Sequence, residues 1–164
     1  MNKFSKALGS TFEMNKTQLR IRKFDFNGHT FRVKIPLTIE SDAISKRLET
    51  IDEEKVSKVY AELSEAFVKN KESFLKDESL EIEYKDDDVI VKGRSLHETA
   101  KNKILTEQRV VEMFKLLVPE ETDFDMNDLT YEMVEELFPF AIQMQMMQLI
   151  SDTISPSYTE AKGK

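Results

Sequence analysis

In the stretch "DFDMND", Asp123, Asp125 and Asn127 stand at the spacing of the first, third and fifth oxygen ligands of a calcium-binding loop. The sixth place of such a loop needs glycine for its sharp turn and holds Asp128, while the twelfth, a bidentate glutamate, is replaced by Val134. Two constraining positions fail, so these residues read as an acidic loop that runs into a helix N-cap, where carboxylates suit the helix dipole. His97-Glu98 opens like a zinc-protease helix, but the position four residues after His97 is Lys101, so no metal pair forms. Ser95-x-x-Glu98 is a capping box, which gives Glu98 a structural use. There is no cysteine, no Gly-rich phosphate loop and no G-x-S-x-G turn. The expectation is a protein that is not an enzyme, with no metal and no cofactor.

A second chemistry to weigh is phosphate binding. Residues 1–34 hold eight Lys/Arg against two Asp/Glu, and the hairpin-like stretch 19–35 carries Arg20, Arg22, Lys23, Arg32 and Lys34. On an antiparallel pair with one wet face, such residues are the solvated side. The remaining residues hold sixteen bases against 29 acids, with eight acids and no base from Glu120 to Glu136, and the net charge is −7. That balance argues against nucleic acid or an anionic membrane as partner. Residues 137–154 are long enough to span a bilayer, yet Pro139, Gln143, Gln145, Gln148, Ser151 and Asp152 make them too polar for a lone span.

The elements that position these residues follow from spacing. Residues 1–17 are expected to be a flexible leader. Asn27-Gly28 favours a tight turn, placing Phe26 opposite His29 and Phe24 opposite Phe31 in a β-hairpin. Simple pairing then sets Arg22 against Val33; a β-bulge near Arg22–Lys23 is expected, since it pairs Ile21 with Val33 and Leu19 with Ile35. Ile39, Ala43, Ile44 and Leu48 suggest a short helix. Thr50-x-x-Glu53 suggests the cap of a longer one through Val56, Val59, Tyr60, Leu63 and Phe67 to about Asn70. "LEIEY" and "VIVKG" read as a second hairpin, closed by the acidic turn 85–88. One helix is expected from Ser95 and another from Thr106, bearing Val110, Phe114 and Leu117 and stopped by Pro119. A helix from about Asp128 to Phe138 and a last one begun by Pro139 and ended at Ser155-Pro156 complete the chain. The fold class is α+β: an N-terminal β-hairpin, a helical middle, a second β-hairpin and a C-terminal helical bundle. We expect one domain over 18–155, or an α+β part 18–95 with a helical part 96–155, followed by a flexible tail 156–164.

The last helix is unusual in its circumference. Advancing about 100° per residue from Phe138, apolar side chains occupy an arc of roughly 240°, where a helix on one core needs about 100°. Phe140, Met144, Met146, Met147, Ile150 and Ile154 are therefore candidates for partner contact. Methionine suits surfaces that repack against different ligands. The alternative is a central helix covered by its own fold. Asp123, Asp125 and Asp128 form a candidate acidic contact surface.

The segments "FDFNGHTFRVKIP" and "EELFPFAIQMQMMQLISDTISPSY", in that order around a charged helical middle, resemble the tail assembly chaperones of long-tailed, flexible-tailed bacteriophages. Gly163-Lys164 is what a slippery G-GGA-AAG run encodes, as in the frameshifting genes of that family. The resemblance implies a protein of the host cytoplasm during phage assembly that coats and solubilises the helical tape-measure protein and helps recruit tail-tube subunits, with homo-oligomers admissible. Two other readings remain open from residues alone: an acidic phage-encoded inhibitor of a nucleic-acid enzyme, and a tail structural subunit.

Overall fold

The computed structural model describes residues 2–121 and 123–155. The chain divides into two units, 1–45 with 110–164, and 46–109. That division falls inside two helices rather than at residue 95. The expected tail 156–164, including Pro156 and Gly163-Lys164, lies outside the described residues.

The first unit begins with α1 (Lys3–Ala7) and α2 (Ser10–Asn15), within the stretch expected to be a leader, followed by a 3-10 turn Lys16–Arg20. β1 (Ile21–Phe26) and β2 (His29–Lys34) form the expected hairpin. Asn27 (φ 50) and Gly28 (φ 77) both sit in the left-handed region that such a two-residue turn demands. The expected bulge is absent: Ile21 pairs with Lys34, Arg22 with Val33 and Phe24 with Phe31 in unbroken register. Arg22 thereby shares the core-side face with Val33, which is fully buried. Its guanidinium resolves the mismatch by reaching the rim of the core and donating to the Thr153 carbonyl at 3.1 Å. A long side chain with an apolar stem can occupy an edge position that a short polar one cannot.

β2 also has a neighbour on its other side. Lys34 N donates to Leu116 O and Val118 N donates to Arg32 O, each at 2.8 Å, and Val33 bridges Leu117. The segment after α6 (Leu96–Phe114) thus covers what would be an open strand edge. α3 (Thr38–Glu49) leaves the hairpin, tied to it by Glu40, which pairs with Arg20 and with Lys34 at 3.6 Å. α7 (Tyr131–Leu137) and α8 (Phe140–Ile154) close this unit. Thr130 caps α7, its hydroxyl accepting from Met133 N at 3.4 Å. Its core is Val33, Val110, Phe114, Val134, Met146 and Ile150, with Phe24, Phe26 and Phe31 of the hairpin packed against it.

The second unit holds α4 (Glu53–Lys69), α5 (Lys71–Leu75) and a small antiparallel sheet of β3 (Ile82–Tyr84), β4 (Val89–Val91) and β5 (Arg94–Ser95). α4 is capped by Asp52, which accepts from Lys55 N at 3.1 Å, and not by Thr50. A carboxylate one residue before the helix outcompetes a hydroxyl two residues further back. Lys92 (φ 49) and Gly93 (φ 76) make a second tight turn into β5, a strand the sequence pattern did not reveal. α6 is one helix of 19 residues, so no helix starts at Thr106. Thr106 instead sits mid-helix, its hydroxyl donating to Asn102 O at 2.9 Å. The helix ends at Phe114, five residues before Pro119, because the chain turns there to pair with β2. Val56, Ala100 and Ile104 form this unit's core, with Ile51, Val59 and Tyr60 against it.

Candidate protein-binding surface

The wide apolar face of α8 is mostly spent inside the first unit. Met146 and Ile150 have no exposed surface, and burying two such side chains contributes about 1.5–3 kcal/mol each. Met144, Met147 and Ile154 are half-buried and pack against the same core. The expectation that these five residues form an open docking face is corrected for Met146 and Ile150, which belong to the core. The reason is geometric: β1 and β2 contact α8 directly, and Phe114 and Phe138 meet edge-to-face at 5.3 Å within the same cluster. A helix covered from several directions needs apolar residues over most of its circumference.

Gln143 shows how complete this burial is. It lies within the apolar arc and is 1% exposed, yet both ends of its amide are satisfied. Oε1 accepts from the Tyr131 hydroxyl at 3.1 Å, and Nε2 donates to Phe138 O at 2.8 Å.

What stays outside is the corner where α7 meets α8. Leu137 is 75% exposed and Phe140 59%, with Met133 one turn before Leu137 also exposed. Val134 turns into the core, while Met133 and Leu137, four residues apart, lie together on the flank beside it and stay exposed. Of the six apolar candidates on α8, Phe140 is thus the one that is open to solvent. Leu137 and Met133 are not singled out by the sequence, because on "YEMVEEL" both lie within about 100° of Val134 and read as part of one core-facing side.

Acidic side chains surround this corner in sequence. Glu135 and Glu136 are exposed, as are Asp123, Asp125 and Asp128 of the preceding loop. Asp125 has a structural duty, accepting from Asn127 N at 2.9 Å at the start of the 3-10 turn Met126–Asp128. Among the described residues, no group of three His, Asp or Glu is placed to hold a metal ion. Four of the five basic hairpin residues are engaged within their own unit: Arg20 Nε donates to Ile35 O at 2.9 Å and Arg32 Nη2 to Pro119 O at 2.9 Å, beside the Arg22 and Lys34 contacts above, while Lys23 is exposed.

Shifted acid groups lie elsewhere and stabilise local structure. In the second unit, burial pushes the Asp88 carboxyl up, but hydrogen bonds from Ser95 Oγ, His97 N and Val89 N outweigh it and hold the group below its ordinary value. Ser95 in turn accepts from Glu98 N at 3.0 Å, as the capping box predicts. His97 meets Asp88 through its backbone, while its ring lies edge-on to Tyr60 at 5.7 Å. The cluster is therefore a hairpin-to-helix cap, and Ser95 Oγ is committed to it rather than to attack on a substrate. Burial first, and then the nearby Asp88 charge, raise the Tyr60 hydroxyl.

Among the described residues no helix is long and apolar enough to cross a membrane. No protein-family model, no curated protein and no solved structure matches the chain.

Proposed function

We propose that the protein is a non-enzymatic chaperone that shields an apolar helical partner, specifically a phage tail assembly chaperone acting on the tape-measure protein and on tail-tube subunits in the host cytoplasm. The observation that carries this reading is the exposed Leu137–Phe140 corner, set in an acidic segment and adjoining a well-packed core. Met133, Leu137 and Phe140 lie close in sequence and are all exposed, and an apolar patch of that kind suits a protein contact; the acids beside them keep the free protein dispersed. The order of elements supports the same reading, because it follows the resemblance drawn from the hairpin and closing-helix segments. In mechanism, an apolar stripe of the partner helix lies along Met133, Leu137 and Phe140 in helix-in-groove fashion. Half-buried Met144 and Met147 adjust their rotamers at its border.

The test is co-expression with the product of the long helical reading frame expected immediately downstream. The wild-type chain should carry that product into the soluble fraction, and Leu137→Glu/Phe140→Glu should lose this while keeping its circular dichroism spectrum. A downstream product that is equally soluble without the chain, or unaffected by the double substitution, overturns the proposal.

A further inference from the structure

Helix α1 is built inside out. It buries Ser5, 7% exposed, whose hydroxyl has no hydrogen-bond partner among the described residues. It leaves Phe4 70% exposed and Leu8, one turn on, nearly half exposed. A short helix packed only for its own fold would turn the other way, because burying an unpaired hydroxyl costs about 1–3 kcal/mol and exposing a Phe forgoes a comparable gain. Lys3 and Lys6 are exposed on the same helix, and Met14 of α2 adds a third open apolar side chain. The only acid in 2–19, Glu13, is already paired with Lys16 at 2.5 Å.

The Leu137–Phe140 corner is the counterpart in every respect. It is apolar and exposed, and it is flanked by Glu135 and Glu136 in a stretch with no base between Lys115 and Lys162. One surface is apolar and basic, the other apolar and acidic, and both belong to one chain.

We infer that α1 of one copy docks on the Leu137–Phe140 corner of a second copy of this chain. Phe4 and Leu8 meet Leu137 and Phe140, and Lys3 and Lys6 face Glu135 and Glu136. The contact joins two different patches, so it closes reciprocally in a dimer or propagates head to tail into a ring or filament. Complementary charge sets the register and speeds encounter, while the apolar side chains supply the affinity. The second copy takes the same corner as the partner helix of the chaperone reading, so the two compete for it; the inference does not need that reading, because it is tested on the purified chain without any partner.

The experiment is sedimentation of full-length protein across a concentration series. Wild type should self-associate. Phe4→Glu/Leu8→Glu and Leu137→Glu/Phe140→Glu should each be monomeric at concentrations at least tenfold higher, with unchanged circular dichroism. Mixing these two variants should restore a 1:1 complex, since each retains the patch the other lacks. A second pair guards against misfolding: Lys3→Glu/Lys6→Glu should weaken association, and combining it with Glu135→Lys/Glu136→Lys in one chain should restore it. A wild type that stays monomeric throughout overturns the inference. So does association that survives both apolar variants, or a mixture that remains monomeric.

Discussion

The Tyr131 hydroxyl donates to Gln143 Oε1 at 3.1 Å, joining the first residue of α7 to a buried position on α8. Because Gln143 Nε2 also donates to Phe138 O at 2.8 Å, one buried amide holds the start of α7, the α7–α8 turn and α8 together. Tyr131→Phe removes a donor from a buried acceptor and should cost about 1–3 kcal/mol. Gln143→Leu strands the hydroxyl and the carbonyl and should cost at least as much. In the double variant the two losses should be less than additive, because the shared bond is lost only once. Urea denaturation of the four proteins measures this coupling. Strict additivity would show that the bond contributes nothing.

Burial separates two groups of α8 residues that sequence reasoning had joined. Met146→Ala opens a cavity in the first unit's core and should cost about 2–5 kcal/mol. Phe140→Ala, at a mostly exposed site, should change stability by no more than about 0.5 kcal/mol. Thermal denaturation should therefore rank Met146→Ala far below wild type and Phe140→Ala beside it. Equal losses at the two positions would mean that Phe140 is packed and that the proposed surface does not exist.

Much of the architecture was legible because local chemistry decided it. Asn27-Gly28 places its hairpin, the Val56–Phe67 spacing sets α4, and Ser95 caps α6 through Glu98 N. The misreadings share one cause, which is that a pattern along the chain does not report what lies beside it. Arg22 opposite Val33 looks like an error of register until the Thr153 carbonyl is seen within its reach. Thr50 and Asp52 both fit a cap, and only one can occupy it. The width of the apolar arc on α8 was read correctly, but width does not say how many neighbours cover it. Here the hairpin and the Phe114–Phe138 cluster cover Met146 and Ile150, so the part left for a partner is the corner, which the wheel alone could not single out.

Arg22 offers a direct check on the unbroken register. Arg22→Ala removes both the stem at the core's rim and the bond to Thr153 O near the C-terminal end of α8. A cation in that position is worth about 0.3–1 kcal/mol, so a loss of that order is expected. Arg22→Met keeps the stem and should recover part of it. If the strand were bulged, Arg22 would lie on the wet face, and both substitutions would leave the urea midpoint unchanged.

Acid should weaken the two units through different carboxylates. Asp88 is held below its ordinary value of 3.8 in the folded chain, since its three hydrogen bonds together outweigh burial. A carboxylate whose folded pKa is depressed binds fewer protons folded than unfolded at the same pH. Its contribution is therefore fully present above 3.8 and fades as the pH falls through the lower folded value. In the first unit Glu40 behaves the same way: the Leu37 N–H lowers it first, burial opposes, and the charges of Lys34 and Arg20 add to the lowering. Both backbone donors to Asp88 meet Oδ1, His97 N at 3.0 Å and Val89 N at 2.8 Å. Asp88→Asn can keep these two, and loses the charge together with the Oδ2 acceptor to which Ser95 Oγ donates. Amide hydrogen exchange resolves the units separately. Asp88→Asn should lower protection in 46–109 at neutral pH and flatten its decline in acid, leaving the Met146 region unchanged. Glu40→Gln should do the converse. A wild-type decline in 46–109 that Asp88→Asn leaves just as steep would show that Asp88 is not the group being titrated there.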